Sequence, residues 1–313
     1  MTRHNAFTTL ILNWFANPYH APVFVAKQLG FYDEVNLDLA IIQPTDPSQV
    51  TKIVGQHQVD IGLKAMIHTI AGRTRGYPIT AIGTLLDEPP TGLISLKKSG
   101  IESFNDIRGK RLGYIGEFGK QIIDNLAQHA GIHGDEYETL RVGMYMVDAI
   151  ESGRIDAGIG FSNFHQVELE NVAGPTTILR IDQLAGLGCC CFCSIQIIAH
   201  EKILIEKPDV LGNFLIATER GASFVTQNPD EAFEILCRSE PRMRHPIQQK
   251  IFTYTLPFFS RNLLNIDRDW KKVYQYTQHL GLHHGDLDLS KCYTNEFIAQ
   301  RPYSEIQPVV FCA

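Results

Sequence analysis

Two side chains that can take part in covalent chemistry, Lys64 and His68, lie four residues apart in the segment LKAMIHTIA (residues 63–71). The apolar residues of this segment follow the i, i+3, i+4, i+7 spacing of a helix with one buried face. In such a helix the Cβ atoms of Lys64 and His68 lie about 5–6 Å apart. A lysine that is kept partly dry can lose its proton and form a Schiff base with an aldehyde, and a histidine one turn away can ligate a metal or transfer protons. A surface lysine and histidine beside an ordinary core helix would show the same spacing.

A turn that contains two glycines, Gly116 and Gly119, connects a predicted strand at residues 112–115 with a predicted helix at residues 120–130. The free backbone N–H groups and the dipole of such a helix N-terminus favour a phosphate. The spacing matches neither a Walker loop nor a dinucleotide fingerprint, so it does not predict a nucleotide. A plain turn between a strand and a helix is the alternative interpretation.

Four of the seven cysteines are crowded into the string CCCFC, as Cys189, Cys190, Cys191 and Cys193. Thiolates are soft ligands for iron, zinc or copper(I). Alternate residues of an extended strand are about 6.5–7 Å apart, and a metal–sulfur bond is only about 2.3 Å long. Two thiolates with an outside ligand such as His68 are therefore easier to arrange than three thiolates. Small buried side chains at a crossing between lobes are the alternative interpretation.

Further polar and aromatic residues follow the ends of predicted strands, where ligands bind in α/β proteins. They are Asn13, Trp14, Tyr19, His20, Asp87 and Glu88. Trp14 has the ring to stack on a ligand and is equally suited to the core. The two acids could orient a ring nitrogen or could be solvated loop residues.

The elements that must position these residues alternate between apolar runs and helical patterns. In the first part of the chain, strands are predicted at residues 10–14, 37–42, 59–63 and 79–86, and helices at residues 21–29, 47–54 and from the end of the third strand to about residue 73. In the second part, strands are predicted at residues 112–115, 140–142, 155–159 and 177–181, and helices at residues 120–130, 147–151 and 164–170. This alternation predicts a largely parallel sheet with helices on both faces.

The pattern changes after Cys193, where one apolar strand at residues 194–199 precedes mostly helices. These helices are predicted at residues 209–227, 230–237, 246–255 and 269–280. We therefore expect an α/β fold with two lobes and a ligand cleft between them. Lobe 1 would comprise residues 1–92 and 190–313, and lobe 2 would be inserted as residues 93–189. The fragments VDIG (residues 59–62) and IDAG (residues 155–158) suggest that the lobes are similar.

The composition excludes several classes of protein. The chain has 313 residues, a formal net charge of −6 and no basic stripe, which argues against a nucleic-acid binder. No run approaches the roughly 20 apolar residues that cross a membrane. The short apolar run at residues 8–12 is interrupted by Asn13 and is followed by no clear cleavage site, so a buried strand is expected there rather than an export signal. Adjacent cysteines form a poor disulfide framework, which favours a reducing cytoplasm.

Together, these segments resemble the thiamine pyrimidine synthase family, which makes 4-amino-5-hydroxymethyl-2-methylpyrimidine phosphate and has the type II periplasmic-binding-protein fold. The matching strings are LNW (residues 12–14), PYH (18–20), GLKAMIHT (62–69), LLDEP (85–89), GEFGK (116–120), DAGIG (156–160), QVELE (166–170), GCCCFC (188–193), DWKKV (269–273) and YTNE (293–296). Residues 160–164 depart from the pattern of the family, which affects contacts at the edge of the site.

The resemblance implies that pyridoxal 5′-phosphate is a substrate, held as a Schiff base on Lys64, and that His68 donates ring atoms to the product. It also implies iron, oxygen and a single turnover per chain. A homodimer in the cytoplasm is a further expectation. The implied substrate-binding residues are Asn13, Trp14, His20, Glu88, Gly116, Glu117, Phe118 and Gly119. The implied iron ligands are Cys189, Cys190, Cys191, Cys193 and His68. A non-catalytic pyrimidine-binding protein of a transport system and a stable pyridoxal phosphate enzyme are the alternative functions.

Overall fold

The computed structural model describes residues 5–181, 192–282 and 287–298. The strands in this part of the chain are β1 (Ala6–Ile11), β2 (Leu37–Ile42), β3 (Ile61–Ala65), β4 (Ile79–Leu86), β5 (Thr91–Leu96), β6 (Arg111–Tyr114), β7 (Glu138–Arg141), β8 (Ala157–Phe161), β9 (Thr176–Arg180) and β10 (Ile195–His200). The α-helices are α1 (Ala21–Gln28), α2 (Phe31–Glu34), α3 (Val50–Gly55), α4 (Met66–Thr74), α5 (Gly119–His129), α6 (Met146–Glu151), α7 (Val167–Ala173), α8 (Glu201–Glu206), α9 (Pro208–Gln227), α10 (Pro229–Ser239), α11 (Pro246–Thr255) and α12 (Asp267–His279). None of them is long and apolar enough to cross a membrane.

Two five-stranded sheets form the centres of two lobes, which confirms the two-lobed α/β prediction. The first sheet has the strand order β2-β1-β3-β10-β4, and the second has the order β7-β6-β8-β5-β9. The chain passes from the first sheet to the second after Leu86 and returns before Ile195. The predicted lobe boundaries at residues 92/93 and 189/190 stay predictions, and the second of them lies outside the described residues.

The prediction of a largely parallel sheet was wrong for two strands. β10 runs antiparallel to β3 and β4, and β5 runs antiparallel to β8 and β9. The other pairings, β1 with β2 and β3 and β6 with β7 and β8, are parallel. Both antiparallel strands follow a crossing between the lobes, so they enter their sheet from the edge at which the parallel strands end.

Other differences concern the ends of elements. β1 ends at Ile11, so Asn13 and Trp14 lie in the loop after it. β5 and α8 were not predicted, and the helix expected at residues 164–170 is a π-helical turn at Ser162–Gln166 followed by α7. A helical period does not distinguish a π turn from an α turn, because one inserted residue changes the pattern only locally.

The short repeat in the sequence has a structural counterpart. Asp60 and Asp156, the acids of the two fragments, precede β3 and β8. The Asp60 carboxylate accepts the backbone N–H of Thr9 at 2.8 Å, and the Asp156 carboxylate accepts the backbone N–H of Arg111 at 2.8 Å. Each acid therefore joins its strand to the neighbouring parallel strand, β1 or β6, which gives the two lobes the same local frame.

The edge strand β4 is buried along its whole length because the last part of the chain covers it. The backbone N–H of Ala81 donates to the Cys292 carbonyl at 2.8 Å, and the N–H of Thr84 donates to the Leu263 carbonyl at 2.8 Å. These bonds satisfy backbone groups that an open edge would expose. The C-terminal segments thus complete lobe 1 around its sheet.

Candidate functional site

The candidate site lies where the carboxyl ends of four strands meet between the lobes. β1 and β3 of lobe 1 face β6 and β8 of lobe 2, and residues at or just after all four strand ends line one inner cavity of about 140 Å³. An outer, more open cavity of about 460 Å³ shares His68 and Phe118 with it. A ligand in the inner cavity would touch both lobes.

Lys64 lies on β3 rather than on a helix, which corrects the helical spacing assumed from the sequence. α4 begins at Met66, so the chain turns between Lys64 and His68. Both side chains still line the inner cavity, because a strand that ends at the cleft and the helix that follows it deliver their residues to the same place. The five apolar residues predicted to be buried, Leu63, Met66, Ile67, Ile70 and Ala71, are buried.

The Lys64 amine is held in a dry position. Its side chain is only 4% exposed, and its Nζ donates a hydrogen bond to the carbonyl oxygen of Pro47. Burial lowers the pKa of Lys64 to about 8, although the carboxylates of Asp46 and Glu117 oppose the shift. An appreciable fraction of this amine is therefore neutral near physiological pH, as a nucleophilic lysine requires.

His68 lies in the first turn of α4 and crosses the cleft to lobe 2. Its ring centroid is 4.9 Å from that of Phe118, and a Cβ on Gly116 would lie 3.5 Å from its Cε1. Burial, followed by the charges of Lys64 and Arg75, holds the pKa of His68 well below its usual range. The imidazole is therefore neutral and keeps a nitrogen lone pair available at neutral pH.

The predicted glycine turn connects β6 to α5 and presents the N-terminus of an eleven-residue helix to the cavity. Gly119 opens the helix against the ring of Tyr114, where a Cβ would lie 2.4 Å from the Tyr114 Cβ. Phe118 is buried in the cleft, while Glu117 faces the outer cavity. The turn therefore combines a helix N-terminus with a wall that a side chain at residue 119 would disturb.

A chain of hydrogen bonds fixes the orientation of the polar side chains that follow β1. The buried Nδ1 of His20 accepts the backbone N–H of Asn17 at 3.3 Å, so its Nε2 carries the proton and donates to Asn13 Oδ1 at 2.9 Å. The Asn13 amide in turn donates to the Tyr19 hydroxyl at 3.3 Å. Burial lowers the pKa of His20 to about 3 and raises that of Tyr19. Asn13, Trp14 and Tyr19 line the inner cavity, whereas His20 lies behind them and orients Asn13.

His165 is a cavity residue that the sequence reasoning missed. It follows β8 in the π-helical turn and lines the inner cavity opposite Trp14, with the two ring centroids 5.8 Å apart. Its place after a strand that ends at the cleft is the signal that could have identified it.

The structure separates Glu88 from the other predicted substrate-binding residues. Glu88 is exposed at the first crossing between the lobes and belongs to the wall of neither cavity. Its backbone N–H donates to the Ser194 hydroxyl at 3.1 Å, and its carboxylate lies 3.9 Å from the guanidinium of Arg268. These contacts suit a residue that fixes the crossing.

Two of the five predicted iron ligands, Cys193 and His68, line the inner cavity. Cys189, Cys190 and Cys191 lie outside the described residues. Within the described ranges no group of three or more histidine, cysteine, aspartate or glutamate side chains is close enough to hold a metal ion.

Two ion pairs join the lobes at the mouth of the cleft. Arg75 of lobe 1 contacts Glu117 of lobe 2 at 2.7 Å, and Arg141 of lobe 2 contacts Asp46 of lobe 1 at 3.1 Å. The guanidinium of Arg75 also lies 5.1 Å from the ring centroid of Phe118. These contacts bridge lobe 1 and lobe 2 beside the cavity that Lys64, His68 and the glycine turn line.

Comparisons of the sequence identify related proteins. The family model described as NMT1/THI5 like matches residues 17–232. The 4-amino-5-hydroxymethyl-2-methylpyrimidine phosphate synthase of Legionella pneumophila is 60% identical over 304 residues, which cover 97% of this chain and 96% of the relative. The protein of the same name from Aspergillus parasiticus is 43% identical over 325 residues, which cover 97% of this chain and 94% of the relative.

Solved structures with the same architecture are more distant in sequence. The alkanesulfonate-binding protein SsuA from Xanthomonas axonopodis, bound to MOPS, superposes with a TM-score of 0.73 at 10% identity and covers 93% of this chain and 99% of its own. A Candida albicans gene product described as having the generic periplasmic binding protein fold superposes with a TM-score of 0.72 at 16% identity, covering 96% of this chain and 100% of its own. These likenesses establish the periplasmic-binding-protein fold.

Proposed function

Since the chain belongs to the NMT1/THI5-like family and is an enzyme of thiamine biosynthesis, we propose that it makes 4-amino-5-hydroxymethyl-2-methylpyrimidine phosphate from pyridoxal 5′-phosphate and the imidazole ring of its own His68. The reaction would need iron and oxygen and would occur once per chain. The observation that carries the proposal is the position of a buried, easily deprotonated lysine and a neutral histidine in one cavity, opposite a helix N-terminus.

Lys64 is suited to capture the aldehyde of the substrate. Its neutral amine would add to the aldehyde carbon, and the carbonyl oxygen would leave as water, so that the substrate becomes fixed at the end of β3. Burial supports this step twice, because it lowers the pKa of the amine to about 8 and limits the access of water that would reverse the condensation.

The glycine turn is suited to hold the phosphate of the captured substrate. The turn follows β6, the strand of lobe 2 that faces β3. The N-terminus of α5, which comes after the turn, supplies N–H groups and a favourable dipole. A substrate anchored at Lys64 and at this turn would place its ring against His68, which contacts Phe118 and Gly116 of the same turn. This placement supports the role of His68 as the second reactant.

The iron requirement follows from the family resemblance and is proposed on that basis. Cys193 and His68 present a thiol and an imidazole to the same cavity, which are ligand types that iron accepts. Bound iron would supply the oxidising chemistry with oxygen.

The test is to incubate the protein with pyridoxal 5′-phosphate, iron(II) and oxygen, and to measure both the product and the mass of the peptide that contains residue 68. We expect at most one product molecule per chain and an altered residue 68. Lys64→Ala should make no product, whereas Lys120→Ala, which removes an exposed lysine next to the glycine turn, should react normally.

Two results would contradict the proposal. An intact His68 together with many product molecules per chain would indicate a recycling pyridoxal phosphate enzyme. Reversible binding of a pyrimidine with no covalent change on Lys64 or His68 would favour a binding protein of the kind that shares this fold.

A further inference from the structure

The cleft has a second end that the proposed roles of Lys64, His68 and the glycine turn leave unused. In lobe 1, β1 lies beside β3, and in lobe 2, β8 lies beside β6. Lys64 and the glycine turn occupy the β3 and β6 end. Trp14 after β1 and His165 after β8 occupy the other end, with their ring centroids 5.8 Å apart in an edge-on arrangement.

The tautomer of His165 follows from its hydrogen bonds. Its Nδ1 accepts the backbone N–H of Phe161 at 3.0 Å, so in the neutral ring Nε2 carries the proton. Burial lowers the pKa of His165 to about 3, which keeps the ring neutral. Nε2 is therefore a fixed hydrogen-bond donor, since its partner atom on the ring is already engaged.

This donor has no acceptor among the residues that the structure describes. His165 is 7% exposed, and its Nε2 is buried without a hydrogen-bond partner. Trp14 is 6% exposed, and its indole Nε1 is likewise buried without a hydrogen-bond partner. A buried donor without a partner is destabilising and is rare in native proteins. Both residues also line the inner cavity, so a ligand with an acceptor atom at this end could satisfy the two donors.

The substrate of the proposed reaction has such an atom in the required place. On its ring the aldehyde carbon stands between the phosphate-bearing arm and the phenolic oxygen. With the aldehyde at Lys64 and the phosphate at the glycine turn, the phenolic oxygen points away from β6 and toward the Trp14 and His165 end. We propose, on the basis of the function proposed above, that His165 is a substrate-binding residue whose Nε2–H donates to this oxygen, with the Trp14 indole as a second donor.

Two substitutions separate this role from a structural one. His165→Gln can place an amide N–H near the position of Nε2 but loses the acceptor for the Phe161 N–H. His165→Asn can keep an acceptor near the position of Nδ1 but loses the outer donor. Pyridoxal 5′-phosphate binding would be measured by absorbance titration, borohydride trapping would assign the adduct to Lys64, and thermal unfolding would report on the fold of each variant.

We expect His165→Asn to weaken binding roughly 10-fold to 100-fold, as loss of a hydrogen bond to a charged acceptor does, and His165→Gln to stay within about threefold of the wild type. The analogue 3-deoxypyridoxal 5′-phosphate, which lacks the phenolic oxygen, should bind wild type and His165→Asn equally. Binding by His165→Asn at the wild-type level, or better binding by Asn than by Gln, would overturn the inference while leaving the proposed function intact. Absence of any Lys64 adduct in the wild type would overturn both.

Discussion

The dry position of Lys64 predicts a cost in stability that its removal should relieve. In the unfolded chain this amine holds its proton up to a pKa of 10.5, whereas in the fold burial lowers the pKa to about 8. Between these values the unfolded state binds more protons, so the free energy of unfolding rises with pH. Below pH 8 the full cost of charging the buried amine opposes folding.

The size of this cost follows from the difference between the pKa of Lys64 in the folded and unfolded states. A shift from 10.5 to about 8 destabilises the fold by about 3 kcal/mol at pH 7 and by less than about 1 kcal/mol at pH 10. Lys64→Met shortens the side chain by one atom and removes the charge, but it also removes the hydrogen bond to the Pro47 carbonyl, which is worth about 1 kcal/mol. We therefore expect Lys64→Met to be more stable than the wild type by about 2 kcal/mol at pH 7, with the advantage lost by pH 10.

Urea unfolding of wild type and variant across this pH range measures the difference directly, and groups common to both proteins cancel. Lys120→Met, which replaces an exposed lysine, should change stability by no more than about 0.5 kcal/mol at every pH. If Lys64→Met is less stable than the wild type at pH 7, or if the difference does not change with pH, the amine is not held in a dry site and the reasoning about its reactivity is wrong.

Three further predictions concern the turn, the lobes and a buried acid. Gly119→Ala places a Cβ 2.4 Å from that of Tyr114 and should lower the free energy of unfolding by about 1–3 kcal/mol. Gly116→Ala should have the same free energy of unfolding as the wild type but should capture pyridoxal 5′-phosphate more slowly. Arg141→Gln breaks an exposed ion pair between the lobes, so it should cost no more than about 1 kcal/mol in urea unfolding while increasing the radius of gyration measured by X-ray scattering. Burial raises the pKa of Glu168 to about 7, so the folded state holds a proton that the unfolded state releases above pH 4.5. The contribution of this group to the free energy of unfolding therefore falls as the pH rises from 4.5 to about 7. Glu168→Gln should remove this contribution in unfolding measured from pH 4 to pH 8.

The sequence was sufficient to predict two α/β lobes, because apolar runs and helical periods alternate twice along the chain. It did not reveal the direction of β5 and β10. A buried strand reads as the same continuous apolar run whether it is parallel or antiparallel, since its side chains meet apolar neighbours in both cases. Direction is decided by the crossings between the lobes, which the hydrophobic pattern does not record.

Lys64 and His68 both line the inner cavity, although the helical spacing from which they were predicted to be neighbours was wrong for Lys64. The apolar spacing of residues 63–71 fits a helix, yet pairing with β1 and β10 holds residues 61–65 as a strand. Tertiary pairing overrides the local period there. The position of His165 after a strand that ends at the cleft could be read from the sequence, but the buried nitrogen without a partner, on which its proposed role rests, is visible only in the folded arrangement.

Strand β10 has a consequence for the order in which the molecule is made. It lies between β3 and β4, so the sheet of lobe 1 has a gap until residues 195–200 have been synthesised. Until then the first 86 residues keep two unpaired inner strand edges, which are exposed to wrong partners on the ribosome. β5 to β9, by contrast, form one continuous stretch of chain and can assemble before β10 exists.

Lys64 itself pairs with Gln196 of this late strand. The nucleophile of the proposed reaction therefore reaches its final position only after lobe 2 has been synthesised and β10 has joined the sheet of lobe 1. Contacts between such distant parts of a chain form slowly, so the cleft should be among the last parts of the molecule to mature. Under the proposed chemistry each chain would complete this assembly for a single product molecule, so product formation in a cell could not exceed the rate at which new chains are made and folded.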